Sequence, residues 1–390
     1  MKRRTLATCC ATHSLHDGLS DVSYVLLPLL AQSFGLSLAQ VGLIRSAHRT
    51  AMAAFQIPAG LVAERFGERN LLALGTLVAG CAFVALGYVS GFWAILAALF
   101  LAGVGSAVQH PLCSTIISHA FPQDGRRAAL GTYNFAGDVG KFAFGGVVSL
   151  LLMAGVSWQF PVIGFGILAI LTAAAVLLLV ADARTHSASA LASASAKGWG
   201  IRDRRGFAAL CMIEVIDSST RTGFMTFIAF LLLGKGLPEH WAVLSVPLVL
   251  VGGMAGKLAC GLLAERLGIA RMIVLTELAT GAGILAALAL PGLAAFLLLP
   301  LLGVVLQGTS SVLYATIGEY VEPERLPRAF GFFYTIGSVC GIAAPLGYGL
   351  LGNRYGVEAS IAVMGAAILL TLPLSLLLVK SGAPGKVPSY

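Results

Sequence analysis

The sequence predicts an all-α integral membrane protein with twelve transmembrane helices in two six-helix, pseudo-symmetric halves. Three observations lead there. The chain of 390 residues is 58% hydrophobic and only 11% charged, whereas soluble domains carry about a quarter charged residues. Apolar runs of about 20 residues, enough to cross a bilayer, recur twelve times between short polar breaks. The second half of the chain also repeats motifs of the first.

The expected spans are 7–31, 40–62, 71–90, 92–117, 128–153, 158–181, 207–233, 240–263, 271–290, 292–318, 329–351 and 357–380. They use nearly the whole chain and leave no soluble domain to hold a separate active site. Met1-Lys-Arg-Arg before an apolar stretch looks like a signal peptide. His13, His16 and Asp17 interrupt that stretch too early, and no small-residue cleavage site follows, so it is expected to be the retained first span. The halves are 1–185 and 206–380. Between them, 186–205 is a small-residue cytoplasmic linker ending in Arg202, Arg204 and Arg205; the tail 381–390 is expected to be disordered.

A formal charge of +8 would raise nucleic acid as a partner of a soluble protein. Here the positions of the basic residues explain it better. With an even number of spans both termini share one side, and that side collects most of the Lys and Arg, from Lys2, Arg3 and Arg4 to Arg325 and Arg328. The other side has only Lys235 and Arg354. By the positive-inside rule both termini are cytoplasmic. The expected partners are the lipid bilayer and a small solute, not nucleic acid, and the chain is expected to be a monomer. The seven cysteines are scattered without metal-ligand spacing and read as small buried hydrophobes. No metal, cofactor or nucleotide-binding loop is indicated.

Repetition is specific. Gly60-Leu-Val-Ala-Glu64-Arg65-Phe-Gly67-Glu-Arg69 returns as Gly261-Leu-Leu-Ala-Glu265-Arg266-Leu-Gly268, 201 residues later. Arg127-Ala-Ala-Leu-Gly131 returns as Arg328-Ala-Phe-Gly331, Gly137 matches Gly337, and Gln109 matches Gln307. Six spans per copy make these parallel repeats about an axis along the membrane normal.

These residues resemble the major facilitator superfamily across the whole chain. Its signature after the second span, G-x-x-x-D-R-x-G-x-R/K, is met by Gly60, Arg65, Gly67 and Arg69, with Glu64 and Glu265 replacing the usual Asp. The resemblance implies that Gly60, Glu64, Arg65, Gly67, Arg69, Glu265 and Arg266 form a cytoplasmic gate. Within the superfamily the first half is most similar to the fosmidomycin-resistance proteins, bacterial drug exporters. That likeness rests on His13-x-x-x-Asp17, Pro28-Leu-Leu, Leu36-Ser-Leu, Gly42-Leu-Ile and His110-Pro111. The Gly-Pro step of those exporters is replaced by Gly137-Asp138-Val-Gly140-Lys141.

Ionisable groups inside spans carry the chemistry, because each would cost roughly 2.5–3.5 kcal/mol facing lipid. Ten central ones, Asp17, Asp21, Arg45, Arg49, Asp138, Lys141, Glu214, Asp217, Arg221 and Lys257, would then cost roughly 25–35 kcal/mol, so they face inward. His13, Asp17 and Asp21 lie at i, i+4, i+8 on one helix face. A carboxylate beside imidazoles in low dielectric can load and release a proton, so Asp17 with His13 or His16 is the expected proton site. Glu214, Asp217 and Arg221 share a face of span seven, and the resemblance suggests that Asp21 and Arg221 pair or that Arg221 holds an anionic substrate. Asp138 and Lys141 at i, i+3 are expected to neutralise each other. Gln109 and His110, beside the helix-breaking Pro111, with Gln307, Arg49 and Lys257, complete the expected cavity.

Together these features predict a secondary carrier of the bacterial inner membrane, not an enzyme, that moves a small anionic or zwitterionic solute or drug by alternating access coupled to protons. The resemblance leans to efflux by antiport. Uptake of an organic acid by symport is the alternative, and a non-transporting membrane receptor the remote one.

Overall fold

The computed structural model describes residues 2–121, 125–180, 200–322 and 326–380. They form a nearly all-helical chain: α1 (Lys2–Phe34), α2 (Leu38–Phe66), α3 (Glu68–Leu86), α4 (Phe92–Ser106), α5 (Gln109–Ala120), α6 (Arg126–Met153), α7 (Gln159–Leu179), α8 (Arg204–Gly234), α9 (Glu239–Leu267), α10 (Ile269–Ala289), α11 (Gly292–Tyr320), α12 (Leu326–Tyr355), α13 (Val357–Ile368) and α14 (Thr371–Lys380). Every expected span falls on a helix or a helix pair. The fourth is broken between α4 and α5, directly before His110-Pro111, where proline can supply no N–H to the turn behind it. The expected tail 381–390 and most of the expected linker lie outside the described residues.

Among the described residues, nine helical stretches are long and apolar enough to cross a membrane. The helices α1, α2 and α8, at 33, 29 and 31 residues, have the length but are too polar to be among those nine. They are the helices that carry Asp17, Arg45 and Asp217. Large apolar side chains are exposed along most of the helices, α2 included, with Tyr88, Trp93 and Phe160 near helix ends. Such a surface suits lipid with aromatic residues at its edges.

Close packing divides the chain into two units. The first comprises residues 1–195, 237–247 and 345–353; the second comprises 196–236, 248–344 and 354–390. In the first, α1 packs on α6 and α3 on α7; in the second, α10 packs on α11 and α13, and α8 on α14. Each unit has an apolar core, and the two cores use matching positions. Cys9, Leu72 and Tyr133 in the first correspond to Leu210, Ile273 and Phe333 in the second.

The repeated motif has one backbone geometry in both copies. Gly67 closes α2 with φ 83°, ψ 142°, and its N–H donates to Ala63 O at 2.8 Å. Gly268 closes α9 with φ 84°, ψ 145°, and its N–H donates to Ala264 O at 3.0 Å. A positive φ with extended ψ is open essentially to glycine alone. A short antiparallel pairing, Arg202 N–H to Tyr320 O and Glu322 N–H to Gly200 O, ties the entry of α8 to the end of α11.

Candidate functional site

Asp17 is the centre of a buried ionic network in the first unit. Its Oδ2 lies 3.0 Å from Lys141 Nζ on α6 and 3.2 Å from His13 Nε2 on its own helix; its Oδ1 lies 3.4 Å from His110 Nε2 on α5. Lys141 also reaches Asp138 at 3.2 Å. The expected i, i+4 and i, i+3 pairs are therefore both formed, and Lys141 joins them into one network. Gly137 makes the crossing possible: a Cβ there would stand 2.6 Å from two ring atoms of His13 and 2.8 Å from Asp17 Oδ2.

The hydrogen-bond partners constrain where protons sit. His13 Nδ1 lies 2.7 Å from the Tyr133 carbonyl, which only accepts, so Nδ1 carries the hydrogen. A neutral ring would then point its Nε2 lone pair at the Asp17 carboxylate. A proton between the two relieves that repulsion, whether it rests on the ring or on the carboxyl. The His13 ring stacks on Tyr133 at 4.0 Å between centroids. Gln109 Nε2 in turn donates to the Tyr133 hydroxyl at 2.6 Å. Gln109 thus buttresses the ring beneath His13 and is fully buried.

His16, also expected beside Asp17, turns elsewhere. Its two ring nitrogens lie 2.9 Å from Thr76 Oγ1 and 3.1 Å from Ser106 Oγ, hydroxyls of α3 and α4. Asp21 pairs inside the first unit, with Arg45 at 3.5 Å and Arg49 at 3.7 Å. Arg45 is 1% exposed and does not reach outward from its helix. It donates to Ser20 O at 2.8 Å and to Ser23 Oγ, and lies 3.6 Å from the centre of the Tyr24 ring. Three basic groups around Asp17 and Asp21 are partly exposed: the side chains of His110, Arg49 and Lys141 are 41, 36 and 27% exposed.

In the second unit Asp217 lies 3.5 Å from Arg221, and both Glu214 and Asp217 are buried. Gly337 repeats the part of Gly137, since a Cβ there would lie 2.8 Å from Glu214 Oε1. Glu277 on α10 is a further buried carboxylate within electrostatic reach of Asp217, Arg221 and Glu214. The sequence reading missed it, although a lone acid inside an apolar helix was a legible signal. Lys257 is half-buried, its carbonyl receiving Ser311 Oγ at 3.4 Å, and Gln307 lies half-buried against Gly253.

Of the expected gate, Arg65 and Arg266 are exposed at the ends of α2 and α9, and Arg69 donates to Asn70 Oδ1 at 3.3 Å. The side chains of Glu64 and Glu265 lie outside the described residues. Among the described residues, His13, Asp17 and His110 are the one trio whose ligand atoms all fall within 4.8 Å, as a metal would require. The Lys141 ammonium at 3.0 Å from Asp17 already supplies the positive charge there and would repel a second cation.

A family model described as Major Facilitator Superfamily matches residues 10–313 and 240–389. The chain belongs to that superfamily. Among its relatives is a probable sulfoacetate transporter, SauU, of Cupriavidus necator, 25% identical over 369 residues that span 85% of this chain and 83% of that one. The 4-hydroxybenzoate transporter PcaK of Pseudomonas putida is 25% identical over 385 residues, 90% of this chain and 83% of that one. The fold matches the crystal structure of a bacterial homologue of the human lysosomal transporter Spinster, inward-facing and occupied. The TM-score is 0.82 at 17% identity, covering 97% of this chain and 96% of that one. The superfamily and these relatives are transporters, so this chain is a multi-pass membrane transporter and not an enzyme.

Proposed function

We propose that this major facilitator protein is a proton-coupled symporter for a small organic anion. It would work in the bacterial inner membrane by alternating access of two six-helix halves, 1–185 and 206–380, with both termini cytoplasmic. The observation that carries the reading is the Asp17 network, in which His13 Nε2 faces Asp17 Oδ2 at 3.2 Å among three partly exposed basic groups, Lys141, His110 and Arg49. Those three groups suit a carboxylate or sulfonate. The relatives named for sulfoacetate and 4-hydroxybenzoate support an anionic solute.

Charge decides the direction of coupling. A proton added at His13 and Asp17 makes the site more positive and improves binding of an anion, so proton and anion load together. Antiport needs proton and solute to compete for one site, which suits a cationic solute. The motif glycines Gly67 and Gly268, with Arg65, Arg69 and Arg266 at the same helix ends, support the cytoplasmic gate. The second reading, efflux by antiport, is favoured by the likeness of the first half to fosmidomycin-resistance proteins.

Proteoliposomes with an imposed pH gradient test this against a panel containing sulfoacetate, 4-hydroxybenzoate and fosmidomycin. The expected result is anion accumulation with proton entry, abolished by Asp17→Asn. Proton exit on addition of fosmidomycin would overturn symport and establish antiport.

A further inference from the structure

The buried carboxylates of the second unit outnumber their cation. Glu277 and Glu214 are both 0% exposed, and none of their four carboxylate oxygens has a hydrogen-bond partner. Asp217 is 1% exposed and faces Arg221 at 3.5 Å. The charged groups that reach Glu277 are Asp217, Arg221 and Glu214. Those that reach Glu214 are Arg221 and Asp217. The other titratable neighbours of Glu214 are Cys211 on α8, Tyr314 on α11, and Tyr334 and Cys340 on α12. Three carboxylates therefore answer to one guanidinium, and two unpaired negative charges are not sustained in so dry a place.

A metal ion or protons could supply the missing positive charge. A metal needs oxygens that converge, and the ligand atoms of these three carboxylates do not all come within 4.8 Å of one another. Protons need no convergence, because each neutralises one carboxylate where it stands.

We propose that Glu277, Glu214 and Asp217 form a second proton-binding site, loaded and emptied in each transport cycle under the control of Arg221. The proposal rests on the proton-coupled reading above and deepens it. The step is reversible protonation, a carboxylate plus a proton from water giving a carboxylic acid. The Arg221 side chain is 17% exposed while that of Asp217 is 1% exposed, so Arg221 is the more accessible member of the pair. An anion that draws Arg221 away leaves Asp217 to take up a proton. Proton load and anion load then rise together. For a singly charged solute, one proton at His13 and Asp17 gives an electroneutral cycle, and a second proton here makes the cycle carry net positive charge inward.

Two measurements on the full-length protein test it. Dicyclohexylcarbodiimide attacks protonated carboxyls in apolar surroundings, so at about pH 7.5 the peptide carrying Glu277 should be labelled in membranes and fade as the pH rises. Absence of label from about pH 6 to pH 8 in folded protein would overturn the proposal. In proteoliposomes, the proton-to-solute ratio should fall from about two in wild type to about one in Glu277→Gln, and the uptake that remains should carry no current. If Glu277→Gln does not fold, Glu214→Gln serves the same test. A labelled Glu277 with an unchanged ratio in the variant would mark a permanently protonated structural group and overturn the proposal, leaving proton coupling intact. No proton movement in wild type would overturn the proton-coupled reading itself.

Discussion

The two units neutralise their buried acids by opposite means. In the first, Asp17 and Asp138 share Lys141, and Asp21 has Arg45 and Arg49. In the second, Glu214, Asp217 and Glu277 have Arg221 between them. The backbone frame beneath the two clusters is nevertheless shared, from the matching turns at Gly67 and Gly268 to the glycines that make room at 137 and 337. Duplication preserved geometry and let the charges diverge. The first unit meets its acids with fixed cations beside a histidine, whereas the second leaves two of its three acids without a cation of their own.

The sharpest test of that contrast removes the cation from each side. Lys141→Met strands Asp17 and Asp138 and is expected to cost about 3–5 kcal/mol, read as a large drop in melting temperature in detergent together with loss of uptake. Adding Asp17→Asn should restore most of the stability. Arg221→Met is expected to cost less, about 1–3 kcal/mol, because its carboxylates can take protons instead. For the same reason the melting temperature of Arg221→Met should recover more between pH 8 and pH 6 than that of Lys141→Met. Equal losses with equal pH response would break the comparison.

Smaller substitutions sharpen it. Gly137→Ala is expected to cost about 1–3 kcal/mol and more than Gly337→Ala, since a methyl at 137 meets both His13 and Asp17 and one at 337 meets chiefly Glu214. Gly67→Ala and Gly268→Ala should each cost about 1–3 kcal/mol of strain, and by similar amounts, because the backbone there is the same in both copies. The smallest effect separates two histidines one turn apart. His16→Asn should lower stability by about 0.5–1.5 kcal/mol and leave the pH profile of uptake unchanged, whereas His13→Asn should flatten that profile.

Local spacing was legible in the sequence because it depends only on the helix period. The apolar runs located the helices, and i, i+4 and i, i+3 spacing found His13 with Asp17 and Asp138 with Lys141. Partners on other helices were not legible. Nothing in the spacing of Lys141 says that it crosses to Asp17, or that Asp21 answers to α2. The face of α1 that His16 occupies is read correctly only once Thr76 and Ser106 are beside it. Glu277 was overlooked for another reason: its helix is apolar enough to span unaided, with a mean hydropathy of 1.9, and one acid barely lowers it.

The polarity of α1 also sets the order in which the protein can be built. The carboxylate at position 17 has its ammonium partner on α6, so the first helix emerges from the ribosome long before the charge that neutralises it. About a hundred residues must follow, which at ordinary elongation rates takes roughly 5–20 s. During that interval an ionised Asp17 in the lipid interior would carry the cost of an unpaired charge, roughly 2.5–3.5 kcal/mol. The arrival of α6 removes that cost, so the ion pair at the centre of the site is among the later contacts of the first unit to form.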